Sequence, residues 1–333
     1  MATSPHQETD PMNKLLTSLC LALAALGPLS TQAAAWPDKP VTIVVPFPPG
    51  GSTDTLARAI APKLQEQLGQ TFIVDNKAGA TGTIGAGQVK RAAPDGYTLL
   101  LSSLGPFVIA PHLIKGMPYD ALKDFDLLTV AVQAPNVLVV PAASPLKTVA
   151  EVIAAAKKEP GKMTLASSGN GSSDHLTAEL FWLQTGTSGT HVPYKGGAPA
   201  IQDLLGGQVD ASFQNVNAVL QHINAGKLRA IAVTGDKRSA VLPNVPTLVE
   251  SGVKGVDVYS WQAVAAPKGL PADVKGKLHA ALVGALNDAQ VKHKLAEIGI
   301  EVVANTPEQF AAFQQAEYAR WKNVIETRKI TAD

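Results

Sequence analysis

The chain has 333 residues, 46% hydrophobic and 17% charged, with 28 basic against 27 acidic side chains. That apolar content supports a large core, and the length suggests about two domains. The balanced charge, with no basic stripe, argues against nucleic acid as a partner.

At the N-terminus, Lys14 precedes an apolar run over 15–29, and Gln32-Ala33-Ala34-Ala35 follows before Trp36. A charged start, a short apolar stretch and an A-x-A site predict a secretory signal peptide over 1–35, cleaved after Ala35. The run is short for a membrane span, and Gly27-Pro28 interrupts it. Glu8 and Asp10 are unusual in such a leader, so initiation at Met1 and at Met12 are both open. Cleavage removes Cys20, the only cysteine, so the mature chain is expected to carry no disulfide, thiol nucleophile or Cys-ligated zinc. No later stretch approaches the ~20 apolar residues of a transmembrane helix. The processed protein is expected in an extracytoplasmic space, not embedded in the membrane.

After Trp36, short apolar runs alternate with helix-period segments. VTIVV (41–45) reads as a buried strand. Leu56, Ile60, Leu64 and Leu68 then share a helix face, with Pro62 expected to kink the helix and Gly69 to end it. Strands are predicted at 71–76 and 97–103, with a helix over 84–93 between them. This rhythm implies a mostly parallel sheet with right-handed crossovers. Further strands are predicted at 136–140, 162–167, 190–194, 211–213 and 228–233. Helices are predicted at 147–158, 172–185, 197–205, 216–225, 271–286, 288–298 and 307–328. In the last, Phe310, Phe313, Trp321 and Ile325 form a partly apolar face. It either docks onto the chain or meets a second copy. Segments 127–140 and 259–266 read as crossings between lobes.

In an open parallel sheet, ligands bind outside the carboxyl ends of the strands. Four loops at such ends are rich in glycine, serine and amide groups: 47–53, 167–173, 194–197 and 213–217. Each opens a helix, whose first N–H groups and positive dipole end attract anions. Each loop is also explained as an ordinary turn; their recurrence favours a shared ligand site. The hydroxyls of Ser102 and Ser103 are placed to join them. Lys195 is the only basic side chain in these loops. The expected ligand is therefore a small carboxylate held mainly by backbone amides, not a densely charged tricarboxylate.

Catalytic and cofactor motifs are absent: no G-x-S-x-G, H-E-x-x-H, P-loop or G-x-G-x-x-G occurs. His175 and Glu179 share a helix face, but no third metal ligand accompanies them, and capping with packing is the simpler role. Ser168, Asp174 and His175 are too close in sequence to form a triad readily. No cofactor, metal or catalytic residue is expected.

The ordered segments VPFPPGGSTDTLAR (45–58), DNKAGATGTIGA (75–86), APDGYTLLLSS (93–103), SSGNGSSDHLTAELF (167–181), THVPYKGGAPAIQDLLGGQVDASF (190–213), LPNVPTLVESG (242–252) and Trp261 with Ala266-Pro267-Lys268-Gly269 carry a resemblance. Together they resemble the substrate-binding proteins of tripartite tricarboxylate transporters, the Bug family, over essentially the whole mature chain. Thr81 stands where such proteins commonly have glycine, a change expected to alter the turn little. Lys268 stands where many have alanine, at an expected surface turn.

The resemblance implies an α/β periplasmic-binding-protein fold of two lobes, each a mainly parallel sheet flanked by helices, with the ligand cleft between them. The first lobe would hold residues 36–133 and 263–333, and the second 134–262. It implies capture of a small carboxylate for a membrane permease, or for a membrane sensor, by a monomer. Matched motifs place Phe47, Gly50, Gly51, Thr53, Asp54, Ser102 and Ser103 on one side of the cleft. Ser167, Ser168, Gly169, Tyr194 and Asn215 are placed on the other. Asp54 is expected to orient its loop, because a bare carboxylate repels an anion. Trp261 is expected to pack near the crossing strands. A secreted serine hydrolase is the disfavoured alternative.

Overall fold

All five residues of β1 are the β-branched Val, Thr or Ile, which makes Val41–Val45 a strand, buried at every position but the half-buried Thr42. The computed structural model describes residues 1–2 and 36–331. The expected signal peptide, and Cys20 with it, lies outside the described residues. β1 sits between β2 (Phe72–Asn76) and β3 (Thr98–Ser103), parallel to both. Helices α1 (Ser52–Leu68) and α2 (Thr83–Lys90) make the crossovers. α1 is continuous through Pro62 and ends at Gly69, in the left-handed region at φ 72°.

After β3 comes a buried helical segment that the sequence reading leaves out. A π-helical turn, Gly105–Ile109, runs into the short α3 (Ala110–Leu113). The long strand β4 (Phe125–Pro141) follows, then α4 (Val149–Lys158), capped by Thr148 and Glu151 in a reciprocal box. A second parallel triplet has β5 (Thr164–Ser167) in its centre. The chain continues through α5 (Ser173–Thr185), β6 (Thr190–Pro193), α6 (Gly197–Leu205), β7 (Ala211–Asn215), α7 (Val216–Asn224) and β8 (Leu228–Val233). β5 is parallel to both β6 and β7.

The return strand β9 (Tyr259–Pro267) leads to α8 (Ala272–Asn287), α9 (Ala289–Glu297), the short β10 (Glu301–Val302) and α10 (Pro307–Arg328). The strands form one mixed sheet in the order β2-β1-β3-β9-β4-β7-β5-β6, with β8 and β10 also on β4. The expected parallel character holds within the two triplets. β4 and β9, which join them, run antiparallel to each other and to their other neighbours. Among the described residues, 37–331 form one compact unit.

The two crossing segments anchor the core. On β9, Trp261 stacks on Phe107 at 5.9 Å between ring centres, and Phe310 of α10 meets both rings edge-on. The indole N–H groups of Trp261 and Trp321 both donate to the buried Glu317 carboxylate, at 3.2 and 2.9 Å. The apolar face of α10 is thus docked within its own chain. Asp126, near the start of β4, accepts hydrogen bonds from the amides of Gly269 and Leu270 and pairs with Lys268 at 3.1 Å. Lys268 is exposed at its turn, as expected, and also ties that turn to β4. Thr81 departs from expectation: it sits at φ 53°, in the left-handed region, so its side chain adds strain that glycine avoids.

Candidate functional site

The predicted site residues lie at or just beyond the carboxyl ends of the parallel strands. Ser102 and Ser103 close β3, Ser167 closes β5, and Asn215 closes β7. The loops after these strands approach one another closely. A Cβ added to Gly169 would lie 3.0 Å from the Tyr194 carbonyl. One on Gly197 would lie 3.3 Å from Ser168 Oγ and 3.4 Å from Gln214 Oε1. One on Gly171 would lie 2.9 Å from Leu113 and 3.0 Å from Ile109. From α7, Asn217 Nδ2 donates to Ser52 Oγ, at the start of α1, at 2.8 Å.

Asp54 organises the loop between β1 and α1. Its carboxylate accepts from the Gly50 amide at 2.9 Å, Arg58 Nε at 3.0 Å and Asn76 Nδ2 at 3.0 Å. Asn76 also donates to the Phe47 carbonyl at 3.1 Å. Burial alone would raise the Asp54 carboxyl. The hydrogen bonds from Arg58, Gly50 and Asn76 outweigh it and hold the group below its ordinary value. Asp54 thus has the expected orienting role, and the Gly50 N–H is used to bind it. Gly51 is exposed and precedes α1, whose N-terminus receives no side-chain cap. Thr53 is buried in the first turn.

Asp174 organises the loop between β5 and α5. It accepts from the Ser168 amide at 2.7 Å, Ser168 Oγ at 2.7 Å and Gln214 Nε2 at 3.2 Å. Ser167 Oγ accepts from the Gly169 amide at 3.1 Å and shares a 2.6 Å hydrogen bond with His191 Nε2. The Gly171 amide donates to His175 Nδ1 at 3.0 Å, which leaves Nε2 as the ring's donor nitrogen. Two buried or half-buried imidazoles therefore hold this loop, and they stack on each other at 3.7 Å with 5° between planes. Burial, then the neighbouring His175, push His191 down to about 4 against an opposing effect of Glu179. The unwanted triad is absent: Ser168 meets Asp174, but His175 turns to Gly171.

The remaining predicted side chains are also committed. Tyr194 donates its hydroxyl to Asp203 Oδ2 at 2.6 Å, a bond that, with burial, pushes the phenol up to about 12. Asn215 Nδ2 donates to Asn136 and to Ser173 Oγ. In contrast, Ser102 Oγ is fully buried without a partner, and Ser103 is half-buried. α6 and α7 begin without side-chain caps, whereas Ser172 caps α5. Side chains thus hold the loops by accepting from their backbone amides.

Sequence reasoning placed Ser52, Asn217 and Ser167 in the polar loops but missed the Ser52–Asn217 and Ser167–His191 pairs. Their residue types were visible within or beside the polar loops, but their partners lie 165 and 24 positions away. A recess of about 390 Å³ lined by Arg58, Ala61, Pro62, Gln65, Phe72 and Val74 belongs to α1 and β2, not to these loops. Among the described residues, no cluster of three His, Cys, Asp or Glu side chains fits a metal. No described helix is long and apolar enough to cross a membrane.

Comparison with known proteins places this arrangement in a family. Residues 56–330 match the family described as tripartite tricarboxylate transporter family receptor. Protein BugT of Bordetella pertussis (strain Tohama I) is 40% identical over 316 residues, covering 94% of this chain and 97% of BugT. The structure of R. palustris Rpa4515 with adipate aligns with a TM-score of 0.84 and 38% identity, covering 89% of this chain and 99% of that one. MatC (Rpa3494) from Rhodopseudomonas palustris with bound malate aligns with a TM-score of 0.80 and 33% identity, covering 87% of this chain and 100% of that one. The chain therefore belongs to the tripartite tricarboxylate transporter family receptors, and its mixed sheet with flanking helices is the α/β fold of periplasmic binding proteins.

Proposed function

We propose that this chain is a periplasmic receptor that captures one small carboxylate between two lobes and delivers it to a membrane permease. The observation that carries the reading is the meeting of glycine-rich loops from both parallel triplets, with uncapped helix starts at α1, α6 and α7. Helix starts with exposed N–H groups favour an anion without requiring arginine. The adipate and malate held by the two related structures support a carboxylate as the class.

In this reading residues 36–133 and 263–333 form one lobe and 134–262 the other. β4 and β9 carry the chain between them. Phe47, Gly51, Thr53, Ser102 and Ser103 face the ligand from the first lobe, with Gly50 and Asp54 shaping their loop. Ser167, Ser168, Gly169, Tyr194 and Asn215 build the opposing wall, largely by fixing backbone groups. Closure is favoured because only the closed form gains contacts from both lobes.

We read the Ser167–His191 pair as structural. Ser167 is 1% exposed, and an imidazole pushed down to about 4 is a weak general base near neutral pH. A thermal-shift panel of mono-, di- and tricarboxylates tests the assignment. A mono- or dicarboxylate is expected to raise the melting temperature. Stabilisation by citrate alone, with no response to the smaller acids, would contradict capture by backbone amides.

A further inference from the structure

Serine and asparagine at helix starts ordinarily cap their own helices. Here Ser52 is the first residue of α1 and Asn217 the second of α7, and neither helix receives a side-chain cap. Their side chains instead bond to each other at 2.8 Å, across 165 positions of sequence. Asn217 Oδ1 is sealed from solvent without a partner, so the amide is held in the contact rather than at the surface. A second contact, Gly171 against Ile109 and Leu113, joins the same two parts of the chain.

We propose that the Ser52–Asn217 hydrogen bond is a clasp that sets the balance between closed and open receptor. This rests on the two-lobe reading above. Both are positioning residues: they act on ligand affinity through closure. In water, one such bond shifts an equilibrium by about threefold to tenfold. When the closed form is the minority in the free receptor, losing the clasp lowers its population, and with it ligand affinity, by the same factor, so the short-distance fraction shrinks about threefold to tenfold.

The test is a double-mutant cycle with a readout that needs no ligand. Nitroxide labels at Glu66→Cys and Lys157→Cys, both exposed positions, report the separation of the lobes in a full-length Cys20→Ser background. Ser52→Ala and Asn217→Ala are each expected to move the population toward longer distances. The double variant should go no further than either single variant, and Ser52→Thr, which keeps the hydroxyl, should resemble the parent. Calorimetry with adipate and malate as probes should show the same non-additive pattern, with affinity lowered about threefold to tenfold by either alanine. Unchanged distance distributions in both alanine variants would overturn the clasp, as would affinity losses that simply add. Should neither probe bind, the distances still decide the clasp, whereas the carboxylate panel decides the receptor reading.

Discussion

The loops after β1 and β5 solve one problem with different chemistry. Each uses a buried aspartate to gather backbone amides. Asp54 works beside water: Gly50 is exposed, and the Arg58 side chain is 55% exposed. Asp174 works in the interior, among Ser168, the buried Gln214 and two stacked imidazoles. Donors that lose a partner beside water are rehydrated, whereas buried donors are not. The same residue type should therefore matter more in the second loop.

Alanine substitution tests that contrast most strongly. Asp174→Ala leaves the Ser168 amide, the Ser168 hydroxyl and Gln214 without their acceptor and should cost about 3–4 kcal/mol. Asp54→Ala should cost only about 1–2 kcal/mol, since Arg58 and Gly50 reach solvent. Chemical denaturation measures both, and equal losses would erase the distinction.

Acid separates the loops next. His191 is pushed from 6.5 to about 4 in the fold, so between those values the unfolded chain binds the extra proton. Stability should fall as pH drops from 6.5 toward 4, by on the order of 3 kcal/mol from this group. His112, also lowered by burial, adds in the same direction, so the comparison with His191→Asn isolates the second loop. That variant should flatten the decline. Asp54 has the same sign in a lower window: its depressed carboxyl stabilises above the unfolded 3.8, and that contribution is lost only as pH falls below it. Denaturant midpoints across this range check the order of the two responses.

Two smaller effects sharpen the backbone argument. Gly171→Ala puts a Cβ about 3 Å from Leu113 and Ile109 at a φ of +74°, and should cost about 2 kcal/mol in denaturation. Thr81→Gly removes a β-branched side chain from the left-handed region and should stabilise by about 1 kcal/mol, read as a raised denaturant midpoint.

Local signals carried much of this fold. Gly69 ends α1 and Gly186 ends α5 in left-handed caps, and the Thr306–Gln309 box opens α10 where its sequence indicates. The segment 105–113 escaped because Pro106 and Pro111 punctuate it, while its interior residues are buried all round and show no amphipathic period. Strand direction at β4 and β9 depends on tertiary pairing and left no local mark. The polar loops were legible as a set from their glycines and hydroxyls. What each side chain does there was not: Ser168 and Tyr194 turn to Asp174 and Asp203, and Ser167 to His191. Those choices follow from which strands lie side by side.

The central claim is capture of one carboxylate by amides that these side chains hold in place. It is tested most directly by calorimetric titration with the best acid from the panel, set against its uncharged carboxamide. The acid should bind with one site per chain and the carboxamide should not. Equal binding of the two, or no saturable binding of any small carboxylate, would contradict it.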